Sequence, residues 1–96
     1  MIQPLAYIHP QAKIADNVVV EPFAVIHKDV EIGEGTWLGH NACVIGAKIG
    51  RNCVVGANSV VTRDIPDHCV VVGAPAFIIK RFNPADGVWQ ATTPDG

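Results

Sequence analysis

Four histidines are the side chains of this sequence best suited to moving a proton near neutral pH, and each sits in a different setting. His40 lies in Trp37-Leu38-Gly39-His40-Asn41-Ala42, beside a glycine that opens the backbone, and is the candidate general base. The plainer alternative for it is a solvated surface residue. His9 and His27 stand eighteen residues apart, each directly after an isoleucine. If the chain repeats with that period, the two stack outward on one surface about 4.8 Å apart, the spacing of neighbouring strands. His68, after Pro66-Asp67, is given no role. Cys43 and Cys53 lack the base and third partner that a nucleophile needs, and both read as inert. Three cysteines form neither a zinc pattern nor a disulfide framework, so a reduced, cytoplasmic protein is the expectation.

These residues are positioned by a repeat. Aliphatic side chains fall at Ile2, Ile8, Ile14, Val20, Ile26, Ile32, Leu38 and Val44, an unbroken spacing of six. Two residues before them come Ala6, Ala12, Val18, Ala24, Val30, Thr36 and Ala42. The frame slips by one residue and resumes at Ile49, Val55 and Val61, with Cys53 and Ser59 in the small position. A period of six fits no α-helix; it fits very short strands, in which residues two apart share a face. Each hexad is then a strand with two inward side chains and a turn. Three hexads close a triangular coil, and stacked coils make a parallel β-helix, the hexapeptide class of repeat architecture. The stacking predicts ladders Ile2–Val20–Leu38–Val55, Ile8–Ile26–Val44–Val61 and Ile14–Ile32–Ile49. At the slip, Gly46 makes a corner one residue shorter than the others, because glycine accepts backbone angles that other residues refuse.

The coils are expected over residues 1–66 and end at Ile65-Pro66, where proline removes a ladder donor. Residues 67–82 are expected to hold one more strand, Cys69–Val72, and a short helix from Pro75 through Phe82. The tail, 83–96, reads as a β-turn in a hairpin around Gly87, with disorder beyond Gln90. The whole is one all-β domain with no linker. Outward apolar residues such as Val19, Val25, Trp37 and Val54 need cover, which points to self-association. A net charge of −2 is too mild for a nucleic-acid grip, and no apolar run reaches the ~18 residues of a membrane span. The N-terminal residues lack the basic and apolar regions of a signal peptide.

The hexads resemble the left-handed β-helix acyltransferases over residues 1–82. Ile8-His9-Pro10-Gln11-Ala12-Lys13-Ile14 and Val30-Glu31-Ile32-Gly33-Glu34-Gly35-Thr36 look like N-terminal coils of the UDP-N-acetylglucosamine acyltransferases. Val55-Gly56-Ala57-Asn58-Ser59-Val60-Val61-Thr62-Arg63-Asp64-Ile65-Pro66, Val72-Gly73-Ala74-Pro75-Ala76 and Ile78-Ile79-Lys80-Arg81-Phe82 look like the C-terminal end of hexapeptide sugar and xenobiotic acetyltransferases. The resemblance implies a left-handed coil, a homotrimer, and an acyl-CoA or acyl carrier protein lying between neighbouring prisms. It implies acetyl-CoA as the acyl donor and a small amine or alcohol, such as a sugar, as acceptor. His40 then matches corners that carry the base in relatives. Thr62, Arg63, Lys80 and Arg81 match the region that meets the phosphates of coenzyme A, and Gly56 and Ala57 leave room for its pantetheine arm. An ordinary charged surface is the plainer reading of the cations, and small structural corners that of Gly56 and Ala57. The stacked His9 and His27 resemble a fragment of the metal site of γ-class carbonic anhydrases, which share the fold, but a third histidine at the right spacing is missing and no metal is expected. The chain is shorter than members of this family and carries no protruding loop. A second reading therefore stands beside the enzyme: a non-catalytic trimeric scaffold, a minimal or chimeric β-helix with its junction at Gly46.

Overall fold

The computed structural model describes residues 1–91. Its first ten strands have two residues each: β1 (Tyr7–Ile8), β2 (Lys13–Ile14), β3 (Val19–Val20), β4 (Val25–Ile26), β5 (Glu31–Ile32), β6 (Trp37–Leu38), β7 (Cys43–Val44), β8 (Lys48–Ile49), β9 (Val54–Val55) and β10 (Val60–Val61). Every third strand stacks on the last in parallel. Face 1 is β1-β4-β7-β10, face 2 is β2-β5-β8, and face 3 is β3-β6-β9 followed by β11 (Cys69–Gly73). The result is a left-handed parallel β-helix of about four turns.

The predicted ladders are the observed registers. Ile8, Ile26, Val44 and Val61 form one rung set, and Ile2, Val20, Leu38 and Val55 another. Ile14, Ile32 and Ile49 form the third, which Ile65 extends by a single bridge before Pro66. These side chains and the small ones two residues earlier fill the prism; Ile26, Leu38, Val44 and Val55 are fully buried. Thr36 is polar yet buried, and both functions of its hydroxyl are used: it donates to the Gly50 carbonyl at 2.8 Å and accepts from the Cys53 N–H at 3.2 Å. A hydroxyl so paired costs the core little.

Corners obey a rule of their own. Three residues before an inward aliphatic, the backbone is left-handed: Asn17, Phe23, Asp29, Gly35, Asn41, Gly46, Asn52, Asn58 and His68 all have φ between 54° and 76°. Gly46 takes this conformation at φ 59°, which lets the shortened corner close on the same geometry as the six-residue ones. Asn and Asp tolerate the region, and Phe23 is the misfit, with φ 67° and a ring 58% exposed. Replacing Phe23 by Asn is expected to raise stability by about 1 kcal/mol in a urea melt. A loss instead would show that the ring packs against something outside its own subunit.

The expected helix over Pro75–Phe82 is a strand. β12 (Ala76–Asn83) pairs antiparallel with β11, in register Val72↔Phe77 and Gly73↔Ala76, after a turn at Gly73 with φ 100°. Two physical reasons favour this. Among the described residues no further coil covers the outer edge of β11, so its N–H and C=O groups need partners, and a single short helix would supply none of them. Phe77, Ile78 and Ile79 are also strand formers. Ala76 and Ile78 pack on the core, so the hairpin lids the C-terminal end of the prism. The turn expected around Gly87 is present, and β13 (Val88–Ala91) returns along β12. Of the tail expected to be disordered, Ala91 pairs with Lys80, and residues 92–96 lie outside the described residues.

Candidate functional site

Three corners run the length of the prism, and the candidate residues fall on two of them and on the terminal hairpin. The corner from face 3 to face 1 carries His40 and, one coil above, Gly56 and Ala57. His40 is exposed, while its neighbour Gly39 is buried beneath the next coil. A Cβ on Gly39 would stand 2.7 Å from the Ala57 nitrogen, so only glycine lets the two coils close here. The His40 carbonyl accepts from the Asn58 N–H at 3.0 Å, which fixes the corner and leaves the ring free to reach outward. Among the described residues, the Ala57 N–H has no acceptor. An exposed imidazole thus stands one coil below an unpaired backbone donor and a stretch without bulky side chains.

Thr62 and Arg63 lie elsewhere. They follow β10 and form the corner from face 1 to face 2, with one strand between them and Ala57. Lys80 and Arg81 are on β12, opposite Val70 and Cys69, at the capped end of face 3. All four are exposed. Within one chain the structure therefore brings His40, Gly56 and Ala57 together, and it does not bring them together with the cations.

The paired histidines and the cysteines are also placed. His9 and His27 share the corner from face 1 to face 2 on successive coils, as their spacing predicts. Each ring has its own engagement: His9 Nδ1 accepts from the Gln11 N–H at 3.0 Å, and His27 Nε2 lies 3.7 Å from Cys43 Sγ. Cys43 thus has an imidazole beside it, and among the described residues no third polar partner completes the pair. Among the described residues, no three His, Cys, Asp or Glu side chains gather around one point that could hold a metal ion. Cys53 is inward and buried, its thiol aimed at the Pro66 carbonyl at 3.2 Å, and burial pushes its pKa up. It is held as an inert thiol.

His68 is the residue that sequence reasoning passed over. It stands at the corner from face 2 to face 3 with φ 61°, its ring edge-on to Phe82 at 6.1 Å, and Phe82 in turn lies 5.2 Å from Trp89. The aromatic residues at 82 and 89 carried a signal only once β12 and β13 were known to be paired strands. Next to His68, Asp67 bridges coils. The Arg51 N–H donates to Asp67 Oδ1 at 2.7 Å, and the Arg51 guanidinium lies 3.5 Å from Oδ2. That backbone donor, aided by the guanidinium, holds the Asp67 carboxyl below its usual range. A depressed folded-state pKa stabilises the fold above the unfolded value and loses that contribution as pH falls through the folded one. Asp67→Asn is therefore expected to flatten the acid limb of stability below about pH 4. An unchanged acid limb in denaturant melts across pH 2–5 would remove Asp67 from the account.

Comparison with known proteins places the repeat. The family described as the hexapeptide repeat of succinyl-transferase matches residues 29–63. WbbJ of Escherichia coli (strain K12), named for a lipopolysaccharide biosynthesis O-acetyl transferase, is 37% identical over 86 residues, covering 88% of this chain and 44% of WbbJ. The crystal structure of a maltose O-acetyltransferase from Clostridium difficile 630 superposes with a TM-score of 0.70 at 34% identity, over 75% of this chain and 49% of that one. A perosamine N-acetyltransferase mutant from Caulobacter crescentus, in complex with CoA and GDP-perosamine, superposes at 0.56 with 28% identity, over 80% of this chain and 54% of that one. This chain spans about half the length of these proteins or less. With the rungs, the corners and these likenesses together, the chain is a hexapeptide-repeat relative of the left-handed β-helix acyltransferases.

Proposed function

We propose that the chain serves acetyl transfer from acetyl-CoA to a hydroxyl or amine of a sugar or similar small acceptor, as a homotrimer. The observation that carries this reading is the corner that joins His40 to Ala57. His40 takes the proton from the acceptor as its oxygen or nitrogen attacks the thioester carbonyl. The Ala57 N–H meets the negative charge that develops on the carbonyl oxygen. The carbon–sulfur bond then breaks, and the imidazolium returns its proton to the departing thiolate. Gly56 and Ala57 line the path of the pantetheine arm, and Thr62, Arg63, Lys80 and Arg81 meet phosphates, which suit fixed cations and the guanidinium fork. No metal enters this scheme. The free thiols suit a reducing, cytoplasmic setting.

Trimerisation is part of the proposal on physical grounds. Faces 1 and 3 carry outward apolar stripes, Tyr7–Val25–Cys43–Val60 and Val19–Trp37–Val54–Val70, whereas face 2 carries Lys13–Glu31–Lys48 with a Glu31–Lys48 ion pair at 3.5 Å. Two different apolar faces on one prism favour head-to-tail contacts that close a ring. Neighbouring prisms would then bring different corners to one cofactor. The dispersal of the cations within a single chain favours the second reading, a non-catalytic trimeric scaffold. Calorimetry with acetyl-CoA on the folded trimer separates them. Saturable binding that weakens in Lys80→Ala/Arg81→Ala is the expected result. A folded trimer that binds no acetyl-CoA leaves the scaffold, and a stable folded monomer by light scattering at micromolar concentration removes the trimer from both readings.

A further inference from the structure

The corner from face 2 to face 3 ends, at the last coil, in a cleft that the transfer scheme does not use. Asn52, His68, Phe82 and Trp89 line a space of about 330 Å³. Its walls come from four elements. Asn52 and His68 occupy the left-handed position of successive coils, with φ 54° and 61°, and Phe82 and Trp89 face each other across β12 and β13. The Phe82 N–H donates to the His68 carbonyl at 2.8 Å, which ties the hairpin to the corner.

Two features of this cleft select a ligand. The first is its aromatic floor. Trp89 packs on Phe82 and still leaves 47% of its surface bare, beside a Phe82 ring tilted 55° to it. With the two ring centroids 5.2 Å apart nothing enters between them, and the cleft offers a ligand the one bare face of Trp89. The second is its polarity. Among the described residues the lining has an amide and an imidazole but no carboxylate, lysine or arginine, and the adjacent cation Arg51 is paired with Asp67. A phosphate-bearing ligand would find no counter-charge there, whereas hydroxyls would find donors and acceptors of both kinds. A pyranose ring joins an apolar C–H face to a rim of hydroxyls, and small apolar clefts with a few polar groups are the common form of ligand site.

We propose that this cleft binds a neutral pyranose, with the C–H face of the sugar on Trp89 and its hydroxyls on Asn52 and His68. It is an anchoring subsite, away from His40, and it does not depend on the transfer reaction. It would hold a further sugar unit of a glycan or a second glycoside.

The test is an NMR titration of the full 96-residue chain with methyl β-galactoside, methyl α-glucoside, maltose and, as the competing arm, adenosine. Saturable shifts at the Asn52 amide, the His68 ring and the Trp89 indole with at least one sugar are the expected result. Trp89→Ala should then weaken that sugar by at least about tenfold, as loss of an aromatic platform does. Asn52→Gly, which accepts the left-handed backbone, should weaken it as well. Lys28→Ala, at a different corner, should leave it unchanged. Adenosine saturating these residues where sugars do not would overturn the assignment, as would sugar shifts confined to the His40 corner or no saturation by any sugar at tens of millimolar. The second of these outcomes leaves the transfer scheme standing, so the two proposals fail separately. The shift map on the unaltered chain decides between these outcomes even where a variant does not fold.

Discussion

Replacing Ile26 by Ala should lower the unfolding free energy by roughly 2–5 kcal/mol, a large part of what a domain of this size has. Ile26 is fully buried in the middle of its rung, between Ile8 below and Val44 above. Truncation removes its methyl groups from both contacts. The cavity cannot collapse easily, because the strands on either side are held by ladder hydrogen bonds at fixed spacing. Lys28, two residues on, stands exposed at the corner, and its replacement by Ala should change stability by no more than about 0.5 kcal/mol. Urea melts of the two variants give the comparison directly. Equal losses would mean that the six-residue frame is not what holds the coil together.

The second large effect concerns turnover. Under the proposed scheme, His40→Ala should reduce the rate of acetyl transfer by roughly 10²–10⁴-fold, the contribution of a positioned base. Affinity for acetyl-CoA should hardly change, since the imidazole addresses the acceptor. Lys80→Ala with Arg81→Ala should do the opposite, weakening acetyl-CoA binding with a smaller effect on the chemical step. The contrast follows from where the side chains sit: His40 on a corner beside Ala57, the two cations on the terminal hairpin. A panel of amino sugars and hydroxylated acceptors, followed by release of the free thiol, measures both. If unaltered chain and His40→Ala release thiol at the same rate with every acceptor, His40 is a surface residue and the scaffold reading leads.

Much of the coil was legible in the residues because one geometric fact generates it. Side chains two apart share a face, so an aliphatic at every sixth position with a small residue two before it can only be a short inward strand. That gave the rungs from Ile2 to Val61, even across the shortened corner at Gly46, whereas Ile65, four residues after Val61, falls outside the six-residue frame. A second periodic signal went unused: Asn17, Asp29, Asn41, Asn52 and Asn58 recur three places before an inward residue, where the backbone is left-handed. The hairpin was misread because its cause is non-local. Ala76-Phe77-Ile78-Ile79 has no period that excludes a helix, and what decides it is the open edge of β11. The pair Cys43 and His27 was missed for a related reason. Each was considered on its own strand, although the rung Ile26↔Val44 already makes them diagonal neighbours. Ala57 and Arg63 are six residues apart in the sequence, and one strand of the prism separates their corners.

The two ends of the prism are finished differently, and this gives its unfolding a direction. At the C-terminal end β12 and β13 cover the last coil, while at the other Ile2 is 48% and Leu5 64% exposed and Ala6, Ile8, Ala12 and Ile14 are only partly buried. In a stack where each coil touches only its neighbours, opening propagates from whichever end is weaker. Amide protons of the first coil should therefore exchange with solvent fastest, and protection should climb steadily from Tyr7 through Val25 to Cys43. The chain would melt as a zipper drawn from one side, with its lidded coils the last to let go.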